Sequence, residues 1–399
     1  MANDKIELEA LEQQLDDKAR QGVAEAVEAI VEAKQRGGKV AVVTGSGPNV
    51  HEGVTTLVAE LMRVGVVDAV STSSAVVAHE MGGTLDKVKR VDGAALGLDK
   101  KMLPLGDEFE LTVMPDEALR NLAREVPLDA GLVEKLEKAP GKTIIKAAGN
   151  LGYPMGLWLE RLAQEILVLA RERGLTFEEV AGLGADPRTM IGIGARKGLP
   201  VLVTIPQLVG GGMVGLCIGD SISLLERSMR LARILESADV IVESAVVLTQ
   251  EVHDGPFETH TGHGLWSAWQ GHFAYSLEGK RLVRIDLDPA LERVCRIQQE
   301  QGAVQDAIAD GLPKTKAFNV PFRMEMSGFA RHHGSIPIIG DIGAVWPLIA
   351  RGVAQRLSVD LDFVSWPQQT EKGKQMREWL VQEIRPLDRD RMLTNLSSA

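Results

Sequence analysis

Between Gln250 and His272 the chain reads QEVHDGPFETHTGHGLWSAWQGH. Four of the eight histidines fall here, at positions 253, 260, 263 and 272, together with Glu251, Asp254 and Glu258. Imidazoles titrate near neutrality, so His253 and His263 suit the movement of protons at a reacting centre. Glu251, Asp254 or Glu258 offers a carboxylate to a substrate ammonium, and Trp266 and Trp269 offer flat apolar faces to its methylenes or its charge. Two other readings stay open. His260-x-x-His263 with His253 or Asp254 is a loose ligand set for zinc or iron. A solvated loop with capping histidines explains the same residues without chemistry. The acidic stretch MLPLGDEFELTVMPDE (102–117) is a second place for an amine, and equally a solvated face.

A different set of residues recurs wherever a short apolar run ends. After KVAVVTG come Thr44, Gly45, Ser46, Gly47 and Asn49. After VVDAV come Ser71, Thr72, Ser73 and Ser74. LPVLVTIP runs into Gly210, Gly211 and Gly212, RLVRIDLDP carries Asp286 and Asp288, and IPIIGDIG carries Gly340, Asp341 and Gly343. Glycines expose backbone N–H groups to a phosphate, hydroxyls add donors, and a carboxylate accepts the two hydroxyls of a ribose. Any one of these loops alone is an ordinary turn. Five together read as the walls of a dinucleotide site. The first turn departs from the Gly-x-Gly-x-x-Gly fingerprint, because Val50 stands where the last glycine would be, and no Gly-Lys-Ser/Thr of a P-loop follows it.

The elements that must position these residues follow from the pattern. Continuous apolar runs suit strands buried on both faces, as in parallel sheets. Strands are expected at 39–45, 66–74, 199–206, 238–247, 281–289 and 336–343, and helices at 5–36, 53–65, 155–174 and 221–237. Alternation of the two implies a doubly wound parallel α/β sheet of Rossmann type, whose ligands sit beyond the carboxyl ends of the strands. The expected organisation is an N-terminal helical segment (1–37), a nucleotide-binding α/β domain (38–357) with an insertion at about 80–150, and a C-terminal helical tail (358–399). The apolar stripe of 155–170 serves as core or as an interface. The 399 residues are 45% hydrophobic and 25% charged, with a net charge of -11. That balance argues against a sequence-independent grip on nucleic acid. Two cysteines suggest no disulfide framework. The first twenty residues lack the apolar stretch of a signal peptide, and no membrane span is visible, so the expectation is cytoplasmic.

RLVRIDLDPALERV followed by IPIIGDIGAVWPLIARGV resembles the nucleotide-binding fold shared by deoxyhypusine synthase and the central domain of thiamin-diphosphate enzymes. The resemblance implies that Asp286 and Asp341 face the adenosine or ribose of a dinucleotide. EGVTTLVAELMRVGVVDAVSTSSAVVAHEM, LPVLVTIPQLVGGGMVG and TQEVHDG look like segments of deoxyhypusine synthase. The Gly-x-Gly-Pro turn, the Asp-x-Asp-Pro strand and the closing acidic turn are similar to the archaeal and cyanobacterial ornithine cyclodeaminase-like proteins. The likeness runs over roughly 38–355, and 80–195 matches neither family. Deoxyhypusine synthase forms an imine on a lysine that follows Ser-Trp-Gly; here GHGLWSAWQGHF (262–273) has no lysine.

The resemblance implies NAD as cofactor, facing Asp286 and Asp341, and the strand ends add Thr44, Gly45, Ser46, Gly47, Asn49, Thr72, Ser73, Ser74 and Gly211 to its expected site. It implies a small amine or amino acid as substrate and a homo-oligomer, often a tetramer in these families. The leading expectation is an NAD-dependent transferase or cyclodeaminase (ammonia-lyase) working at a C–N bond through transient hydride transfer and an imine. Polyamine aminobutyl transfer of the deoxyhypusine or homospermidine synthase type is the second. A dinucleotide-binding protein without catalysis is the third.

Overall fold

The computed structural model describes residues 2–45, 47–149, 152–203, 206, 208, 211–245, 279–290, 292, 293, 296, 306, 309–311, 319 and 334–398. His253, His263, Glu251, Asp254, Glu258, Trp266, Trp269 and Ser46 lie outside them. Along the chain the helices are α1 (Ala2–Gln14), α2 (Asp17–Gln35), α3 (Pro48–His51), α4 (Val54–Arg63), α5 (Ser74–Met81), α6 (Asp116–Glu125), α7 (Ala130–Lys138), α8 (Met155–Arg173), α9 (Phe177–Gly184), α10 (Met190–Lys197), α11 (Gly212–Ser221), α12 (Leu224–Ser237), α13 (Ile342–Leu357), α14 (Glu371–Glu383) and α15 (Arg389–Ser398). The strands are β1 (Val40–Thr44), β2 (Ala69–Thr72), β3 (Leu85–Asp92), β4 (Glu108–Thr112), β5 (Lys142–Ala147), β6 (Val201–Val203), β7 (Val240–Ser244), β8 (Arg281–Asp286) and β9 (Ser335–Ile339).

The chain divides into two compact units. The first comprises 1–73, 197–205 and 223–373, and the second 74–196, 206–222 and 374–399. In the first unit six strands form one sheet in the order β6-β2-β1-β7-β8-β9, all parallel. Ranked by position along the chain this is 3-2-1-4-5-6, the doubly wound Rossmann order. The short apolar runs become strands because both faces are covered: every residue of β1, β2 and β7 is buried. On one face, Ile30 of α2, Leu61 of α4 and Trp346, Ile349 and Val353 of α13 close over Val40, Val42 and Val242. Behind β6, Arg227 of α12 donates from Nη1 to the carbonyl of Val203 at 2.8 Å.

The N-terminal helix expected at 5–36 is two helices. Asp16 breaks it by capping α2, its Oδ1 accepting from Ala19 N–H at 2.7 Å. The region after Ser358 is helical only from Glu371, in α14 and α15.

The second unit contains an antiparallel sheet in the order β4-β3-β5 and packs α8 on α11 and on α9, α11 on α5, and α9 on α15. Its strands are only partly covered. Along β3 just Leu85, Val88 and Val91 are buried, so the segment from 80 to 142 offers no continuous apolar run. Among the described residues no helix is long and apolar enough to cross a membrane.

Candidate functional site at the carboxyl edge of the parallel sheet

In the doubly wound order the switch point lies between the first and fourth strands, here β1 and β7. Strand register aligns the ends. Val43 pairs with Ser71, so Thr44 and Thr72 share the next row; Thr44 pairs with Ser244, Ser244 with Ile285, and Ile285 with Ile338. The sequence-predicted residues Thr44, Gly45, Thr72, Ser73, Asp286 and Asp341 therefore stand on one edge. From Thr72 to Asp286 is three strand spacings, roughly 14 Å.

The β1 turn is open at its centre. Gly47 has φ +66°, a backbone that side chains resist, and a Cβ there would meet no atom within 4 Å. Pro48 at the first turn of α3 takes a place where its missing N–H costs nothing. Asn49 is fully buried, and its amide is committed within the protein. Its Nδ2 donates to the Ser244 carbonyl at 3.2 Å, and its Oδ1 accepts from Ser244 Oγ at 2.6 Å. Trp346 Nε1 in turn donates to Ser244 Oγ at 2.7 Å. This chain of bonds ties α3, β7 and α13 together directly beneath the switch point. The next residue, Ala245, has φ +54°, uncommon for a residue with a Cβ and found here where β7 leaves the sheet.

Two polar atoms on the edge are buried with no hydrogen-bond partner among the described residues: Thr72 Oγ1 and Asp286 Oδ2. The other Asp286 oxygen accepts from Asp288 N–H at 3.1 Å, which fixes the carboxylate in an Asx turn. Asp341 is the N-cap of α13, its Oδ1 accepting from Gly343 N–H at 3.0 Å. An orphaned carboxylate oxygen and hydroxyl, an open glycine turn and a sheet edge are together a fit for a ligand bearing hydroxyls and phosphates. Ser74 and Gly211 belong to the second unit, as the first residue of α5 and the N-cap of α11.

One row below the edge lies a pair the sequence reading passed over. Glu243 and Arg284 face each other on β7 and β8, 3% and 1% exposed, with Arg284 Nε donating to Glu243 Oε2 at 2.5 Å. Burial pushes the Glu243 carboxyl above its usual range, against the pull of Arg284. The signal was a single charge inside each of two otherwise apolar runs, VIVES and LVRI. Among the described residues no group of three His, Cys, Asp or Glu side chains is placed to hold a metal ion.

No protein-family model matches the chain, and no curated protein matches it in sequence. Solved structures that superpose on it are distant. AgrE, as a cysteine-to-alanine mutant in binary complex with L-arginine, is 15% identical, with a TM-score of 0.40, over 85% of this chain and 33% of the other. ArgZ, described as an arginine dihydrolase from the ornithine-ammonia cycle in cyanobacteria, is 13% identical, with a TM-score of 0.40, over 86% and 32%. A conserved LOR/SDH protein of Methanococcus maripaludis S2 is 12% identical, with a TM-score of 0.41, over 86% and 71%. The chain spans about a third of the length of AgrE and ArgZ. At these scores the superpositions bring neither a substrate nor a cofactor to this chain.

Proposed function

We propose that this chain binds NAD along the carboxyl edge of the six-stranded sheet and acts at a C–N bond of an amine or amino acid. The observation that carries the reading is the orphaned Oδ2 of Asp286, buried at the end of the fifth strand in Rossmann order. In the common Rossmann pattern the ribose carboxylate ends the second strand, where Thr72 stands here; on this reading Asp286 takes that role from the fifth strand, accepting ribose hydroxyls and repelling a 2′-phosphate, which favours NAD over NADP. Backbone N–H groups of Gly45 and Gly47 meet the pyrophosphate, and the hydroxyls of Thr44, Thr72 and Ser73 add donors. NAD, when bound, supplies a reversible hydride acceptor, so the reaction needs no net oxidation.

The chain's own groups do the rest. In sequence the histidine-rich segment lies between β7, which ends at Ser244, and β8, which begins at Arg281. Glu251, Asp254 or Glu258 holds the substrate ammonium, Trp266 and Trp269 pack on its methylenes, and His253 or His263 moves the proton of the nitrogen leaving or the water arriving. Hydride removal gives a substrate imine; attack on it by the substrate's own second amine expels ammonia, and return of the hydride to the product completes a lyase or cyclodeaminase outcome. Capture of the same imine by a second amine gives the transferase outcome, which the absent lysine in 262–273 disfavours.

The test incubates the full chain and NAD with ornithine, arginine, putrescine and spermidine, and follows ammonia and diamine release. The reading expects ammonia from one of these amines without lasting accumulation of reduced nicotinamide, and loss of that product in His253→Gln or His263→Gln. Binding of NAD with no turnover of any amine would favour the dinucleotide-binding protein without catalysis.

A further inference from the structure

A second pocket lies wholly within the second unit, among α9, α10 and α15. Its volume is about 390 Å³, within the range of small-molecule sites. Leu183, Ala185, Pro187 and Ala195 give it an apolar wall, and Arg196, Arg391 and Asn395 line the remainder. None of these lining residues is acidic, in a protein whose net charge is -11.

The way the helices meet explains why one of the arginines is there. Gly184 ends α9 where a Cβ would stand 2.6 Å from the Asp388 carbonyl and 2.7 Å from Met392 Cβ, so only glycine lets α15 approach this closely. The end of α9 leaves carbonyls without helical partners. Asn395 Nδ2 donates to the Leu183 carbonyl at 2.8 Å, and Arg391 Nη2 donates to that of Gly184. Arg391 thus spends one guanidinium nitrogen on capping; Asp388 accepts from its backbone N–H at 2.9 Å, and the guanidinium has no ion pair among the described residues. Arg196, in the last turn of α10, has neither a hydrogen bond nor an ion pair among them. Neighbouring cations are neutralised differently: Arg188 pairs with Asp186 and Glu383, and Arg389 with Glu165. Two arginine side chains without acids beside an apolar wall are the arrangement that recognises a carboxylate or phosphate attached to a hydrocarbon body.

The geometry points to a binding site here for a small amphiphilic anion, a carboxylate or phosphate monoester carrying a short apolar chain. Arg196 and Arg391 take the head group, and Leu183, Ala185, Pro187 and Ala195 take the chain. All of its lining residues belong to the second unit.

Calorimetric titration of the full chain with hexanoate, butyl phosphate, inorganic phosphate and hexylamine tests it. The site predicts saturable binding of hexanoate, butyl phosphate or both, with inorganic phosphate and hexylamine silent. Whichever anion binds more tightly names the head group. Arg196 is exposed and carries no capping bond, so Arg196→Gln keeps the fold. It weakens binding about tenfold or more, as expected for loss of a charge-assisted hydrogen bond. Hydrogen exchange with the bound anion slows in 182–196 and 389–395. Absence of binding overturns the site. So does equal binding of hexylamine, affinity untouched by Arg196→Gln, or protection that falls elsewhere.

Discussion

Single residues set the chemistry that each unit makes available. Glu80, on α5, is buried, and its two oxygens accept from Met190 N–H at 2.8 Å and Ile191 N–H at 3.0 Å at the start of α10. Burial nevertheless raises its carboxyl to about 7, outweighing those two bonds. An acid whose folded pKa lies above its unfolded value holds a proton that the unfolded chain releases. Stability from this group is therefore greatest at low pH, falls as pH rises from about 4.5 to about 7, and is flat above. Asp86, also pushed up to about 7 by burial, acts over a similar window. Glu80→Gln removes the titration but puts an NH2 against one of the two backbone N–H groups, so it should be less stable than the native chain near the bottom of that window and close the gap by about 3 kcal/mol towards the top. Urea unfolding of both proteins across this pH range checks this; parallel curves would remove Glu80 as the source. His79, its neighbour, is held below its ordinary pKa by burial, with Nδ1 against the Ala148 carbonyl.

Elements hold these residues in place, and two interactions do most of the holding at the sheet edge. Removing Arg284 as Arg284→Met leaves Glu243 buried without its partner, an expected loss of about 3–5 kcal/mol. Glu243→Leu combined with Arg284→Met should recover most of it, because well-packed apolar residues replace a buried pair at little cost. Equilibrium unfolding measures both, and an additive double variant would contradict the pairing. Asn49→Ala opens the link from α3 to β7 and Trp346, and should cost about 1–3 kcal/mol. Much of this framework is legible in the sequence. Runs such as VAVVT and VIVES announce strands buried on both faces, and the Gly-Ser-Gly-Pro turn announces a strand end. The β4-β3-β5 sheet was not legible, since β3 reads LDKVKRVD and scatters its three buried residues among charged ones. The commitment of Asn49 was hidden as well, because Ser244 and Trp346, far away in sequence, are its partners. In the second unit, the pocket of Arg196 and Arg391 joins positions that only the packing of α15 beside α9 and α10 brings together.

At the scale of the molecule, the first unit is a parallel sheet in doubly wound order with level carboxyl ends and an open glycine turn, and the stretch of sequence after β7 carries half of the histidines in the chain. The second unit brings its own buried acids and its own pocket. On the proposed reading, Asp286 holds NAD at the sheet edge. Calorimetric titration of the full chain with NAD, repeated with NADP and with Asp286→Ala, tests it most directly. The account predicts NAD binding in the micromolar range, weaker binding of NADP, and an affinity for NAD about tenfold or more lower in the variant, the cost of a charge-assisted bond to the ribose. No binding of NAD, or an affinity that Asp286→Ala leaves unchanged, would contradict it.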